Sequence, residues 1–122
     1  MSRILIAEDE HRIAAFVEKG LQKYGFSTAI AIDGEQAIEM AQSDEFDLLL
    51  LDIGLPVKDG WTVLAELGNG SKQIPTIIVS ARDDVKEKIT SGQHEIIGYL
   101  KKPFRFRDLL AQVETVPYSI SR

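Results

Sequence analysis

In the segment Leu48-Leu49-Leu50-Leu51-Asp52-Ile53-Gly54-Leu55-Pro56-Val57-Lys58-Asp59-Gly60, four apolar residues run in succession and are then stopped by turn formers. A short apolar run bounded in this way reads as a strand buried on both faces. A carboxylate closing such a strand stands on the rim of the sheet, where open α/β folds keep their sites. Ile4-Leu5-Ile6-Ala7 has the same form and ends in Glu8-Asp9-Glu10. Two buried strands that both open into carboxylates imply one acidic pocket.

The alternation continues on either side. Strands are expected over Arg3–Ala7, Phe26–Ala31, Leu48–Leu51, Thr76–Val79 and Ile96–Leu100, with helical patterns between them. The first helix, His11–Tyr24, places Ala14, Val17, Leu21 and Tyr24 on one stripe. The second follows Asp33-Gly34 and carries Ala37, Ile38 and Ala41; the third starts near Asp59 and presents Trp61, Leu64 and Ala65. The fourth, Asp83–His94, is mostly polar, with Val85 and Ile89 spaced for a core stripe. The last runs from about Arg105, with Phe106, Leu109, Leu110 and Val113 at i, i+3, i+4 and i+7. Strands alternating with helices in this way predict an α/β fold, a doubly wound five-stranded parallel sheet with helices on both faces. Gly68-Asn69-Gly70-Ser71 reads as a loop and Val116–Arg122 as a frayed tail. The domain is accordingly expected over residues 1–116, with a tail over 117–122.

At 122 residues the chain is long enough for one domain with a real core. Its net charge of -5 argues against nonspecific nucleic-acid binding. Without cysteine there is no disulfide, thiolate metal site or thiol nucleophile. No apolar stretch approaches ~20 residues, so no membrane span is expected. The N-terminus lacks a basic-then-apolar leader, and a cytoplasmic protein is the simplest expectation.

Each strand but one delivers reactive groups to the rim. The first gives Glu8 and Asp9, the third Asp52, the fourth Ser80, and the fifth Lys101-Lys102-Pro103. The second gives none, as expected of an edge strand remote from the pocket. Clustered carboxylates repel one another, and uncompensated, one of them takes a proton. Magnesium relieves the repulsion: it is a hard cation that accepts a few carboxylates and keeps several waters. With no cysteine and no suitably placed histidine, zinc is not expected. An ionised Asp beside magnesium can attack phosphorus, and phosphoryl transfer requires mainly alignment and neutralisation of the equatorial oxygens. Magnesium, a Lys ammonium and a Ser hydroxyl can each serve one oxygen. These are the parts for forming an aspartyl phosphate. Plainer roles exist for the same residues. The Glu8–Glu10 acids can cap the first helix, Ser80 can be a turn residue, Lys101 can be solvated, and His11 and His94 can be surface groups.

From Ser2 to about Val113 the chain resembles the receiver domain of two-component response regulators. The likeness rests on Ile-Ala-Glu8-Asp9-Glu, on Leu-Leu-Leu-Asp52-Ile-Gly-Leu-Pro56-Val-Lys-Asp-Gly60, on Val-Ser80-Ala-Arg and on Tyr99-Leu-Lys-Lys102-Pro103-Phe, each on its expected strand. It implies a flavodoxin-like fold with strand order 2-1-3-4-5. It implies Asp52 as phosphoacceptor, with Glu8 and Asp9 as the acidic pair for magnesium and the Gly54 carbonyl as a further ligand. Ser80 becomes the hydroxyl that turns toward the phosphoryl group, Lys102 the site lysine ahead of a cis bond to Pro103, and Tyr99 the aromatic that swings inward on activation. Implied partners are a sensor histidine kinase or phosphotransfer protein and a downstream effector domain or protein, switched through the fourth-helix, fifth-strand and fifth-helix face. The domain itself is not expected to bind nucleic acid or membrane. The Leu-Pro-x-x-Asp-Gly form resembles receivers attached to winged-helix transcriptional regulators.

The chain also departs from that pattern. Where the subgroup usually has Gly-Ala-Asp-Asp, this sequence reads Glu95-Ile96-Ile97-Gly98, without the glycine that would cap the fourth helix. The fifth helix lacks the usual basic partners for intersubunit salt bridges. The usual effector domain is not within these 122 residues, so the chain is read as a single-domain regulator or part of a longer one. A phosphorylation-independent interaction module on a receiver scaffold is the alternative function. A haloacid-dehalogenase-type phosphatase is disfavoured, because Gly54 stands where such enzymes need a second Asp. Ala81 is small and leaves the phosphoryl group reachable, Gly54 has no side chain to aim or block a hydrolytic water, and Arg82 can shield the phosphate, so slow self-dephosphorylation is expected.

Overall fold

A computed structural model describes residues 2–70, 73–89 and 96–118. The strands are β1 (Arg3–Ala7), β2 (Ser27–Ala31), β3 (Leu48–Asp52), β4 (Thr76–Ser80) and β5 (Ile96–Lys101). The helices are α1 (His11–Lys23), α2 (Gly34–Ser43), α3 (Gly60–Gly68), α4 (Val85–Ile89) and α5 (Phe106–Val113). All strand pairs are parallel and the order is β2-β1-β3-β4-β5, the doubly wound arrangement expected.

Side chains of a strand alternate between the two faces of its sheet, and each face here has its own core. Leu5, Ala7, Leu49, Leu51 and Ile78 pack under Ala37, Ile38 and Ala41 of α2, Val63 and Leu64 of α3, and Val85 of α4. Ile4, Ile6, Leu48, Leu50, Ile77 and Val79 pack under Val17 and Leu21 of α1 and Leu109 and Val113 of α5. Both faces being covered is why β3 reads as an unbroken apolar run.

Local signals set the helix ends. Asp33 caps α2 by accepting from the Gln36 N–H at 2.7 Å, and Asp59 caps α3 by accepting from the Thr62 N–H at 2.9 Å. At the end of α1, Gly25 takes φ +90 while Phe26 N–H bonds Leu21 O and Gly25 N–H bonds Gln22 O, the pattern of a Schellman cap.

Three expectations change. Tyr24 is exposed and stacks on Phe106 instead of joining the α1 stripe. On α3, Val63 and not Ala65 shares the buried stripe with Leu64, and Ala65 is exposed. The order runs past Val116, which is buried; Tyr118 lies against Phe26 and its O–H donates to Val113 O at 2.9 Å. Helix α4 is described over Val85–Ile89, starting later than Asp83; the rest of its expected span through His94, and Glu95, Ser71 and residues 119–122, lie outside the described residues.

Strand β5 is irregular at its start. Thr76 pairs with Ile96 but Ile77 pairs with Gly98, so Ile97 is bulged out and exposed. Ile96 and Tyr99, three residues apart, consequently pack on the same face.

Candidate functional site

Strand parity aims the site. Glu8 continues the stripe Ile4-Ile6, Asp52 continues Leu48-Leu50, and Lys102 stands two past Leu100, all on the α1/α5 face. They meet there. Lys102 Nζ donates to Glu8 Oε1 at 2.6 Å and to Asp52 Oδ2 at 3.2 Å. Their side chains are 13%, 5% and 11% exposed respectively for Lys102, Glu8 and Asp52, so the ion pairs are held away from bulk water. The second oxygen of each acid is also fixed: Glu8 Oε2 accepts from Glu10 N–H at 3.1 Å and Asp52 Oδ1 from Gly54 N–H at 3.0 Å. Behind the two acids lies an apolar wall that includes Ile6, Val17, Leu50, Val79 and Leu109.

That wall explains the electrostatics. Burial pushes the Glu8 carboxyl above the usual carboxylate value, against the opposing pull of its bond from Lys102. Burial also pulls on the Lys102 ammonium, but the bond to Glu8 and the charges of Asp52 and Glu8 outweigh it and raise its pKa. Lys102 is therefore charged throughout the neutral range. Two buried acids share this single ammonium.

Asp9 joins them: ligand oxygens of Glu8, Asp9 and Asp52 all lie within 4.8 Å of one another. An all-oxygen donor set of this kind suits a hard divalent cation. The acids do not cap α1. Glu10 occupies the N-cap position without a side-chain bond, and the first turn contains no acid.

Ser80 follows Ile78 on the opposite, α3/α4, parity and is 1% exposed. Its Oγ accepts from Arg82 N–H at 3.1 Å, and its carbonyl accepts from Lys102 N–H at 2.9 Å. Tyr99 is half-buried on the same face, and its O–H donates to Arg82 O at 3.1 Å. The Lys102–Pro103 bond is cis. His11 is exposed, and His94 lies outside the described residues.

Two lysines carry more than their sequence context showed. Lys101 is ion-paired with Asp83 rather than simply solvated. Lys58 bridges Glu35 of α2 at 3.1 Å and Glu66 of α3 at 2.8 Å, and its carbonyl lies only 1.8 Å from where a Cβ on Gly34 would be. Neither contact has a spacing signal, because the partners belong to other elements. The loop after Asp52 is thereby clamped to α2, with a tight turn at Val57 (φ 69) closed by Lys58 N–H on Pro56 O at 2.8 Å.

Among the described residues no helix is long and apolar enough to cross a membrane. The transcriptional regulatory protein PcoR of Escherichia coli is 33% identical over 95% of this chain and 51% of its own length. The transcriptional activator protein IrlR of Burkholderia pseudomallei is 38% identical over 93% and 49%. The chain thus spans about half the length of these curated relatives. Among solved structures, Thermotoga maritima response regulator TrrA in complex with Mg(2+)-BeF superposes with a TM-score of 0.85 at 29% identity, covering 95% of this chain and 99% of that one. The Francisella response regulator 1452 receiver domain gives 0.86 at 29%, covering 95% and 96%. With residues 4–114 matching the response regulator receiver domain and this acidic rim on a 2-1-3-4-5 sheet, the chain belongs to the receiver domain family of two-component response regulators.

Proposed function

We propose that Asp52 accepts a phosphoryl group from a phosphohistidine of a sensor histidine kinase or phosphotransfer protein, and that the acceptor state switches a downstream effector domain or protein. The observation that carries this is the shared ammonium: Lys102 Nζ bonds acids from β1 and β3 at once, and the oxygens of those acids lie beside those of Asp9. Glu8, Asp9, Asp52 and the Gly54 carbonyl are the groups to hold magnesium. Bound there, the cation supplies charge neutralisation to the acids and to a phosphoryl oxygen.

The chain's own residues supply the rest. Gly54 N–H holds Asp52 Oδ1, and the Lys102 ammonium that donates to Asp52 Oδ2 can pass to an incoming phosphoryl oxygen. The Asp52 carboxylate attacks in line: its O–P bond forms as the P–N bond to the donor imidazole breaks. An open groove of about 380 Å³ lined by Glu10, Ile13, Phe16, Ala81, Lys102, Pro103 and Phe104 lies beside the site, and a donor would approach along it. Ser80 and Tyr99 then reorient, and the α4-β5-α5 face changes. The domain catalyses only its own phosphorylation and dephosphorylation, the latter slowly, since Gly54 carries no group to orient water. The receiver unit is taken as residues 1–116, followed by 117–122, in a cytoplasmic setting, with no nucleic acid bound by this domain itself. The assembled pocket supports this reading over a phosphorylation-independent module.

The test is labelling with acetyl phosphate and magnesium. Wild type should take up about one phosphoryl group per chain, and Asp52→Asn none. Labelling of Asp52→Asn at normal stoichiometry would remove Asp52 from the role.

A further inference from the structure

The turn between β4 and α4 is tied down residue by residue. Arg82 N–H donates to Ser80 Oγ at 3.1 Å, Tyr99 O–H donates to Arg82 O at 3.1 Å, and the Lys101 ammonium donates to the Asp83 carboxylate. Ser80 is buried, whereas Asp83 and Lys101 are exposed. Lys101 is the register partner of Ser80 across the β4–β5 ladder, and it stands two residues past Tyr99 on the same side of β5. Two side chains of one strand face therefore fasten consecutive residues of the turn that engages Ser80. The Arg82–Asp84 pair lies within the turn and adds no tie to β5.

We propose that Lys101 and Asp83 are a positioning pair for Ser80. Their ion pair holds the turn in the arrangement where Ser80 Oγ is bonded by Arg82 N–H, and its release frees the hydroxyl to turn toward a phosphoryl group on Asp52. The inference rests on Asp52 being the phosphoacceptor. The pair acts through the turn and touches neither Asp52 nor the acids that would hold magnesium. An exposed ion pair shifts an equilibrium by about two- to five-fold. A ligand that prefers the released turn gains the same factor when the pair is removed.

The experiment titrates beryllofluoride in the presence of magnesium, and magnesium alone, by calorimetry. The samples are wild type, Asp83→Asn, Lys101→Gln and the charge-swapped double variant Asp83→Lys/Lys101→Asp. Each single variant should bind beryllofluoride about two- to five-fold more tightly than wild type, and the swap should restore the wild-type value. Raising salt to about 0.5 M should bring wild type to the single-variant affinity. Magnesium affinity should be the same in all four proteins, a pattern that general loosening of the fold would not give. Wild-type affinity in both single variants, or a double variant that behaves like the singles, would overturn the positioning role. A wild-type protein that binds neither magnesium nor beryllofluoride would overturn the phosphoacceptor reading and this one with it.

Discussion

At Lys102 one ammonium serves two acids from different strands, and removing it exposes what it compensates. Lys102→Met leaves Glu8 and Asp52 facing each other over an apolar wall. Stripping one partner from a buried pair costs about 3 kcal/mol. Urea unfolding in EDTA should show a loss of that order, and millimolar magnesium should recover much of it. The deficit should also depend on pH with a definite sign. The Glu8 pKa already lies above its ordinary 4.5, and without the bond from Lys102 it rises further. The folded variant then binds the proton more tightly than the unfolded chain, so stability is gained as pH falls through the folded pKa toward 4.5 and lost as pH rises. A deficit that instead grows on acidification would show that Glu8 is not the group released. Lys102 was legible in the sequence because it follows the fifth strand and precedes proline. The pairing of Lys101 was not, since its partner Asp83 lies in a turn whose path depends on the packing of Val85.

Helices and strands show the same division between local and distant causes. The apolar runs of β1, β3 and β4 and the helix starts after Asp33 and near Asp59 are written in adjacent residues and formed as read; the Asp33 and Asp59 caps and the Gly25 turn are equally local. Asp59→Ala should cost about 1 kcal/mol in thermal or urea unfolding, the usual value of an N-cap. It should leave magnesium affinity unchanged, because among the described residues the Asp59 side chain bonds only Thr62. Gly34→Ala is a different matter: its Cβ would fall 1.8 Å from the Lys58 carbonyl, so the clamped loop must move. That change should destabilise by about 1–3 kcal/mol and, unlike Asp59→Ala, weaken magnesium binding through displacement of Gly54, as calorimetry would show. What the sequence could not convey is geometry set between elements. The choice of Val63 over Ala65 depends on how α3 rolls against the sheet, and the bulge at Ile97 depends on the neighbouring strand's register.

On the scale of the molecule, a rim that holds magnesium as proposed would couple metal binding to folding. A cation that binds only the folded state stabilises it by mass action, about 2.7 kcal/mol at a concentration one hundred times the dissociation constant. The melting temperature should rise with magnesium and fall back with EDTA, and the response should vanish in Glu8→Gln/Asp52→Asn. The sheet order was open to anticipation only through the family likeness; alternation of strands and helices alone restricts the topologies without choosing among them. The site was legible because four of five strands end in chemically distinct residues at one edge. Which of those residues touch was settled by strand parity. Glu8, Asp52 and Lys102 follow the stripe under α1 and α5, while Ser80, Tyr99 and Lys101 belong to the side of α3 and α4. If Asp52 is the phosphoacceptor, a donor over α1 and α5 and a partner over α3 and α4 would approach the rim from opposite sides, and neither would need to displace the other.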